Sequence, residues 1–445
     1  GLLLALGLLA VFDPSAGSFQ LIDEALWMPA INVHYRVGVD GISVLFLPAT
    51  QLLFCAVYFL ERPGPDAPLR TALLMLLHTA TLGVFVALDG ILFFLFWELT
   101  LLPTYFLVAI WGLGQLRREA ANQYLLTMLL AGIPVLAAFL MLASQMPDGN
   151  NFDLRVWLAH PLGRPLQTVV FLLMLVGFGF KIPLFPLHNW LPVLANEGSA
   201  GLLAIVTGLK IGAFALLRLA IPLAPQAALD FHWLLAGLGT AGLLFGAAAA
   251  LAQTNLRGML AYSSLSHVSL VVLGIASYSL AGLQGAVFQL LNFSLVSGGL
   301  FLLLGALHRR TGSNEVGQLG GAAKRLPWLA TFFLLFGLAG MGIPGTSGFP
   351  AELTLLLAVF GKHAGAAIAA LAGAGVAAAA FLSLYRQAFF GPPRNPALFD
   401  AIDLDLSERL VVLSFGLLLL VCGFFPQLIL DTLASSARLW VEAMP

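Results

Sequence analysis

The chain has 445 residues, of which 60% are hydrophobic and 9% are charged, and its formal net charge is −1. A soluble domain needs charged residues at about 25% of its positions, so this composition excludes a soluble globular protein and predicts one that lies mostly in lipid. The near-neutral balance also leaves no basic surface of the kind that binds nucleic acid.

Hydrophobic runs of helix length follow one another along the chain. With about 20 residues for each membrane-spanning helix, they predict an all-α polytopic membrane protein with about thirteen such helices. The runs lie at 1–12, 41–60, 70–88, 90–112, 120–144, 167–186, 200–222, 229–252, 257–277, 281–307, 327–360, 364–386 and 409–427. The stretch that follows, 428–445, is amphipathic and is expected to lie at the membrane interface.

Basic residues are concentrated in alternate loops, for example Arg62, Arg117 and Arg309. Because cytoplasmic loops carry an excess of lysine and arginine, these loops are predicted to be cytoplasmic. Arg218 lies near the end of the run 200–222 and is expected to extend to the interface in a structural role.

Proline and glycine interrupt two of the runs. The first interruption carries Pro183, Pro186 and Pro192 within GFGFKIPLFPLHNWLP, and the second carries Pro344 and Pro350 within LAGMGIPGTSGFPAEL. Proline removes a backbone donor and clashes with the preceding turn, and in a membrane such a break persists only where protein or a wet cavity satisfies the freed backbone groups. Broken helices at corresponding positions of two halves are typical of inverted-repeat transporters.

The positions of the two breaks predict four segments. Residues 1–69 would form N-terminal helices and a periplasmic loop, and 387–445 a C-terminal loop and helix. Between them, 70–222 and 229–386 would form two inverted repeats, each containing one proton half-channel. The repeat assignment depends on where the breaks lie, since the two halves share no strong residue-level similarity.

Glu98, Lys181, Lys210 and Glu352 carry charges inside hydrophobic runs rather than at their ends. A charge near the middle of the bilayer costs about 2.5–3.5 kcal/mol or more, so such residues are usually functional. Lys181 opens the first break, Lys210 is predicted to lie in the middle of a helix, and Glu352 follows the second break directly.

His267, within AYSSLSHVSL, joins these charged residues as a candidate because imidazole gains and loses a proton near neutral pH. A row of such groups at bilayer depth predicts a proton relay. The charged form of Lys181 depends on how close the carboxylate of Glu98 lies, so movement of one relative to the other would load or unload a proton. The alternative for each residue is a structural role, with the side chain satisfied by a neighbouring helix.

Motifs for other chemistry are missing from the sequence. Cys55 and Cys422 lie far apart without metal or disulfide spacing, and there is no GxGxxG motif, P-loop or cysteine cluster. We therefore predict no catalytic redox residue, no cofactor-binding site and no metal site in this chain. Any redox chemistry would belong to other chains.

Five motifs resemble subunit M of bacterial type I NADH–quinone oxidoreductase (respiratory complex I), the antiporter-like membrane subunit of the mitochondrial subunit-four type. They are FWELTLLPTYFLVAIWG, FGFKIPLFPLHNWLP, GLKIGAFALLRLAIPL, LAQTNLRGMLAYSSLSHVSL and GMGIPGTSGFPAEL. The resemblance extends over residues 35–430. It implies fourteen spans and two inverted five-helix repeats in the full subunit, with the first span preceding this chain.

The resemblance also implies a role for each candidate residue. It makes Glu98 the paired glutamate, Lys181 the lysine of the first broken helix, Lys210 the connecting lysine of the central axis, His267 the histidine of the connecting region, and Glu352 the terminal acid on the second broken helix.

One departure from the family pattern lies in the middle of this relay. The resemblance implies a second relay histidine where this chain has Phe293, within QLLNFSLVSGGL. Ser294, Asn292 or water are the candidates to take its place.

The function implied by the resemblance is proton translocation in the bacterial cytoplasmic (inner) membrane, driven by quinone reduction elsewhere in the complex. The chain would be a non-redox, multi-pass subunit between neighbouring antiporter-like subunits, in contact with lipid and not with nucleic acid. NADH, FMN, iron–sulfur clusters and quinone would bind to other subunits.

Two alternatives remain open. The same motifs are expected in a subunit of an Mrp-type cation/proton antiporter or of a membrane-bound hydrogenase. The other alternative is a structural membrane scaffold that translocates no protons.

Overall fold

The computed structural model describes residues 1–61, 64, 66–147, 149 and 151–444. Arg62, one of the basic residues that predict a cytoplasmic loop, lies outside this part. The N-terminal half contains α1 (Leu2–Val11), β1 (Gln20–Met28), β2 (Val33–Val39), α2 (Phe46–Leu60), α3 (Ala67–Val86), α4 (Gly90–Leu99), α5 (Leu101–Trp111), α6 (Arg117–Ser144), α7 (Leu154–Ala159), α8 (Arg164–Lys181), α9 (Trp190–Glu197), α10 (Ala200–Gly208), α11 (Ile211–Ala215), a π-helical turn (Leu216–Ala220) and α12 (Ile221–Leu223).

The C-terminal half is also helical. It contains α13 (Pro225–Asp230), α14 (His232–Leu251), α15 (Leu256–Ile275), α16 (Leu280–Thr311), α17 (Pro327–Gly340), α18 (Gly348–Lys362), α19 (Ala364–Phe389), α20 (Leu406–Phe424) and α21 (Gln427–Glu442). Short 3₁₀ turns lie at Pro29–Ile31, Val316–Gln318, Ala322–Lys324 and Pro396–Leu398.

The helices confirm an all-α polytopic membrane protein. Within the described residues, 10 helices are long and apolar enough to cross a membrane, with α4 and α5 forming one span and α10 to α12 another. Helices α1, α2 and α17 are apolar but shorter. The chain is therefore a multi-pass membrane protein.

Helix α16 forms the centre of the bundle. Its 32 residues are surrounded by α10, α15, α17 and α18. The apolar stretch of this helix that is long enough to cross a membrane is 100% buried. Helix α14 packs against α15 and α19, while α6 packs against α5 and α8. Since α16 has no lipid-facing side, each of its polar side chains must find a partner inside the protein.

Both predicted helix breaks lie where proline and glycine place them. Helix α8 ends at Lys181 and α9 begins at Trp190, and α17 ends at Gly340 before α18 begins at Gly348. The assignment of 70–222 and 229–386 as inverted repeats stays a prediction.

A third break was not predicted, because Lys210 was expected in the middle of a helix. The structure instead separates α10 from α11 at Leu209 and Lys210, where Lys210 has ψ 59°. A Cβ on Gly212 would lie 2.6 Å from the backbone nitrogen of Ile182. The backbone after Lys210 thus approaches the break after Lys181 at a distance that glycine permits.

A β-hairpin between α1 and α2 is a further unpredicted element. Strands β1 and β2 pair antiparallel, with Glu24 opposite Arg36. Arg36 contacts Glu24 at 2.9 Å and Asp153 at 3.3 Å, and Asp153 accepts a hydrogen bond from the backbone nitrogen of Arg155 at the start of α7. The hairpin is thereby tied to the loop that precedes α7.

The hairpin also contacts the start of α4. The carboxylate of Asp89 accepts hydrogen bonds from the backbone nitrogens of Ile91 and Leu92, and from that of His34 in β2 at 3.2 Å. This cap satisfies backbone donors that the first turn of a helix leaves free. The helix that carries Glu98 is therefore anchored to the hairpin.

Acidification should loosen this hairpin. Hydrogen bonds from Arg36 and Arg155 hold the pKa of Glu24 below its ordinary value, so the stabilisation is complete above about pH 4.3 and is lost as the pH falls through the lower folded-state pKa. Hydrogen exchange of the β1 and β2 amides, corrected for intrinsic rates, should speed up between about pH 6 and about pH 3. Glu24→Gln should show less of this pH dependence, and an equal change in both proteins would contradict the assignment.

Helix α21 packs against the protein rather than standing apart from it. The hydroxyl of Ser436 accepts from the backbone nitrogen of Gly41 at 2.9 Å, and the indole of Trp440 donates to the carbonyl of Leu217 at 3.0 Å. The guanidinium of Arg218 contacts Asp40 at 2.7 Å, and its extension to the interface stays a prediction.

Candidate functional site

The five predicted residues lie on five different parts of the bundle. Glu98 is on α4, Lys181 ends α8, Lys210 lies between α10 and α11, His267 is on α15, and Glu352 is on α18. Lys210 and Glu352 are buried, and the other three are half-buried. Some of these residues contact the same neighbouring side chains, and others line one of two cavities together.

Glu98 has an unsatisfied carboxylate oxygen. Its Oε1 atom is buried and has no hydrogen-bond partner among the described residues. The oxygen faces Gly132 of α6, where any Cβ would collide with it. A buried carboxylate oxygen without a donor is costly, so the site favours a nearby cation, a proton or water at this point.

Replacing Gly132 by alanine should displace Glu98. The new Cβ would overlap the carboxylate oxygen, so we expect Gly132→Ala to reduce proton translocation at least several-fold while the protein still assembles. Gly237→Ala in α14 is the matched control, because a Cβ there meets no atom within 4 Å. Equal activity of the two variants would show that the position of Glu98 does not matter.

Lys181 lies beside Glu98 without binding to it directly. Its ammonium donates to the carbonyl of Trp97 at 3.0 Å and to the hydroxyl of Thr100 at 2.8 Å, and lies 4.1 Å from the centre of the Trp97 ring. Trp97 precedes Glu98 on α4, and Thr100 follows the last residue of that helix. Among the described residues, however, no ion pair within 4.0 Å joins Lys181 to Glu98, so the two are neighbours rather than a closed pair.

A cavity connects the two lysines. The volume open to the centre of a water molecule is about 40 Å³ in this cavity. A volume of about 10–15 Å³, measured in the same way, holds one water. Its polar lining consists of two ammonium groups and four hydroxyl groups: Lys181, Lys210, Thr81, Thr100, Thr104 and Tyr124. Water in this cavity would join Lys181 to Lys210 by hydrogen bonds.

Lys210 reaches toward α15 and α16 from the break between α10 and α11. Its ammonium donates a short hydrogen bond to the hydroxyl of Ser264, and lies 5.6 Å from the centre of the Phe293 ring. The helix is interrupted at Lys210, so backbone groups without helical hydrogen bonds lie near its ammonium. These groups help to make the buried position of the ammonium against α15 and α16 possible.

His267 and Glu352 form a contact of their own. Nδ1 of His267 lies 3.3 Å from Oε1 of Glu352. The amide of Gln289 donates to the same oxygen at 3.3 Å, and Asn292 donates to Gln289 at 3.2 Å. Ser347, in the second break, donates to Asn292 at 2.6 Å. The break and the central helix α16 thus meet at Glu352.

Glycine shapes this end of the site as well. Gly342 has φ +65°, and a Cβ there would lie 2.6 Å from Oε2 of Glu352. The second break can therefore approach the carboxylate only because this position lacks a side chain.

Phe293 lies near both Lys210 and His267. The rings of Phe293 and His267 are 6.0 Å apart between centres, edge to face. Of the predicted substitutes, Ser294 donates to the carbonyl of Leu291 on its own helix, and Asn292 belongs to the Glu352 cluster. Among the described residues, neither has a hydrogen bond to Lys210 or His267.

Sequence reasoning missed Thr100 and Gln289, and it indicated Ser264 only together with Ser263 and Ser266, as neighbours of His267 that could hold water. A signal was present, because Ser264 and His267 are spaced i, i+3, as are Gln289 and Asn292, and such pairs share one face of a helix. Within the described residues, no group of three or more His, Cys, Asp or Glu side chains is placed to hold a metal ion.

The sequence family described as NADH:quinone oxidoreductase/Mrp antiporter, TM, matches residues 87–377. The chain belongs to this family. The matched segment contains all five candidate residues and both predicted breaks, so the site described above lies in the part that defines the family.

Relatives of this family match almost the whole chain. NAD(P)H-quinone oxidoreductase chain 4 3 from Trichormus variabilis is 35% identical over 433 residues, covering 95% of this chain and 80% of the relative. NADH-quinone oxidoreductase subunit M from Rhodobacter capsulatus is 33% identical over 462 residues, covering 99% and 88%. These relatives confirm the resemblance to subunit M.

A solved structure shows the same architecture. A chain of respiratory complex I from Thermus thermophilus superimposes with a TM-score of 0.92 at 32% identity, covering 100% of this chain and 93% of that chain. The chain therefore has the fold of that complex I chain over its whole length.

Proposed function

We propose that this chain is a proton-translocating, antiporter-like subunit of an NADH–quinone oxidoreductase in a bacterial cytoplasmic membrane. The observation that carries the proposal is the row of titratable side chains from Glu98 to Glu352 inside the bundle, with two cavities that could hold water beside them. A membrane protein that only supported its neighbours would have no reason to keep these charges at bilayer depth.

The Glu98 end would act as the loading switch. Lys181 is held by Trp97 and Thr100 while Glu98 lacks a partner, so a small rotation of the lysine would bring the two charges together. At an effective dielectric constant of 20 and a separation of about 6 Å, the attraction is worth roughly 3 kcal/mol. That energy is sufficient to change whether Lys181 keeps its proton.

The Glu352 end would be the release site. His267 and Glu352 are in contact, and each can accept or give a proton. A proton that leaves Lys210 would reach His267 and then Glu352, while Gln289 and Asn292 hold the carboxylate in place. The two segments 70–222 and 229–386 would provide one half-channel each.

The chain would contribute proton transfer and no redox chemistry. NADH, FMN, iron–sulfur clusters and quinone would bind elsewhere in the complex, and charge movement on quinone reduction would reach Glu98 through the neighbouring antiporter-like subunits. The family description includes Mrp antiporters, so a cation/proton antiporter or membrane-bound hydrogenase subunit is the alternative. The subunit M and chain 4 relatives favour the oxidoreductase.

Two measurements test this function. Mass spectrometry of the intact assembly in detergent should find flavin and iron–sulfur subunits beside this chain; an assembly without them would support the antiporter. In proteoliposomes, Lys210→Met should lose NADH-driven proton translocation by about tenfold or more, whereas Lys324→Met, on an exposed loop, should not. Normal translocation by Lys210→Met in an assembled complex would refute the proposed path.

A further inference from the structure

We propose that Ser264 carries the proton past Phe293, from Lys210 to the water beside His267. This inference deepens the proposed function and depends on it. It assigns a specific side chain to the step where the family pattern has a histidine and this chain has an aromatic hydrocarbon.

The first step of the argument is what Phe293 does. Its ring stands 5.6 Å from the Lys210 ammonium and 6.0 Å from the His267 ring, and it is buried. A phenyl ring neither donates nor accepts a proton, so the side chain at position 293 cannot pass a proton from Lys210 to His267. A proton that moves between these two groups must take a route through other groups.

Ser264 lies on such a route. Its hydroxyl accepts the hydrogen bond from Lys210, and it precedes His267 by three residues on α15, which places both on one face of that helix. Ser264, His267 and Glu352 all line a second cavity, which offers about 60 Å³ to the centres of water molecules. On the measure of about 10–15 Å³ for one water, it holds several.

The cavity has four serine hydroxyls in its lining, Ser263, Ser264, Ser266 and Ser297, and among the described residues only that of Ser264 accepts a hydrogen bond from Lys210. Ser266 donates its hydrogen to the carbonyl of Leu243, and Ser297 donates to the hydroxyl of Thr207. Among the described residues, Ser264 has no acceptor for its own hydrogen. A hydroxyl that accepts from a cation and is free to donate is the arrangement that a relay requires.

The proton balance of the step is simple. Lys210 gives a proton to the Ser264 oxygen as that hydroxyl releases its own hydrogen to a water of the cavity, and the water passes a proton to His267. Lys210 ends neutral, His267 ends as imidazolium, and Ser264 returns to its starting form after its hydroxyl rotates. The contact between His267 and Glu352 then stabilises the new charge.

Ser264→Ala tests the inference in the reconstituted complex. The hydroxyl is lost with little change in volume, so NADH-driven proton translocation should fall by about tenfold or more, while Ser264→Thr restores it. Ser266→Ala is the matched control, since its hydroxyl is already bound to a carbonyl. Translocation by Ser264→Ala equal to that of Ser266→Ala would overturn the inference.

A second variant, Phe293→His, provides a route for the proton that does not need Ser264. An imidazole at position 293 would lie near both Lys210 and His267, so Phe293→His should restore translocation to the Ser264→Ala background. Failure of that rescue in an assembled complex would place the loss outside the gap at Phe293 and count against the inference. Lys210→Met distinguishes a failure of this inference from a failure of the proposed function. Normal proton translocation by Lys210→Met would refute the whole path. If Lys210→Met loses translocation while Ser264→Ala keeps it, only the step through Ser264 is refuted.

Discussion

Lys181→Met should abolish most proton translocation by the complex. Methionine keeps the approximate length of the side chain but removes the charge beside Glu98 and the ammonium that donates to Trp97 and Thr100. The carbonyl of Trp97 still accepts a hydrogen bond from the hydroxyl of Thr100. We expect a loss of about tenfold or more in NADH-driven acidification of proteoliposomes. NADH oxidation by an artificial electron acceptor should remain at the wild-type rate, because the proposed function assigns the redox groups to other subunits.

The control for Lys181→Met is Lys362→Met, which removes a lysine from the exposed end of α18. It should leave both rates unchanged. If Lys181→Met translocated protons normally in an assembled complex, the switch between Glu98 and Lys181 would have to be abandoned.

Glu352→Gln should block the other end of the path. Glutamine has the size of glutamate and keeps hydrogen bonds to Gln289 possible, but it cannot accept the proton that His267 carries. Translocation should again fall by about tenfold or more, with little change in thermal stability since the packing is retained. Glu352→Ala should in addition lower the unfolding temperature, because it leaves His267 and Gln289 without their shared acceptor.

Glu119→Gln is the matched control for Glu352→Gln, since Glu119 is exposed in the first turn of α6. Retained translocation in Glu352→Gln would move the release site away from this carboxylate. A loss confined to Glu352→Ala would assign Glu352 a structural role instead.

The sequence predicted the breaks at Lys181 and before Glu352 because proline cannot donate a backbone hydrogen bond and clashes with the preceding helical turn. It did not predict the break at Lys210, although Gly208 and Gly212 flank that lysine. A single glycine on each side lowers helix stability only slightly, and it is the close approach to Ile182 that makes the break favourable. Such an approach depends on tertiary structure and leaves no local pattern.

The sequence identifies the titratable side chains as candidates, but it does not predict the hydrogen bonds and cavities that link them. Charges inside hydrophobic runs identify Glu98, Lys210 and Glu352 directly, since their cost in lipid is large. A serine such as Ser264 costs little and resembles its neighbours in sequence. Only the arrangement of helices shows that Ser264, rather than Ser266, faces the lysine.

The enclosure of α16 has a consequence for how the protein is made. At about 1.5 Å per residue the helix is some 48 Å long, and it carries Gln289 and Asn292 at depths where lipid offers no hydrogen bond. Their partners Ser347 and Glu352 are synthesised later. Until α18 has been synthesised, the amides of Gln289 and Asn292 therefore lack these two partners, and α10 and α15 are the earlier helices that can shield them from lipid.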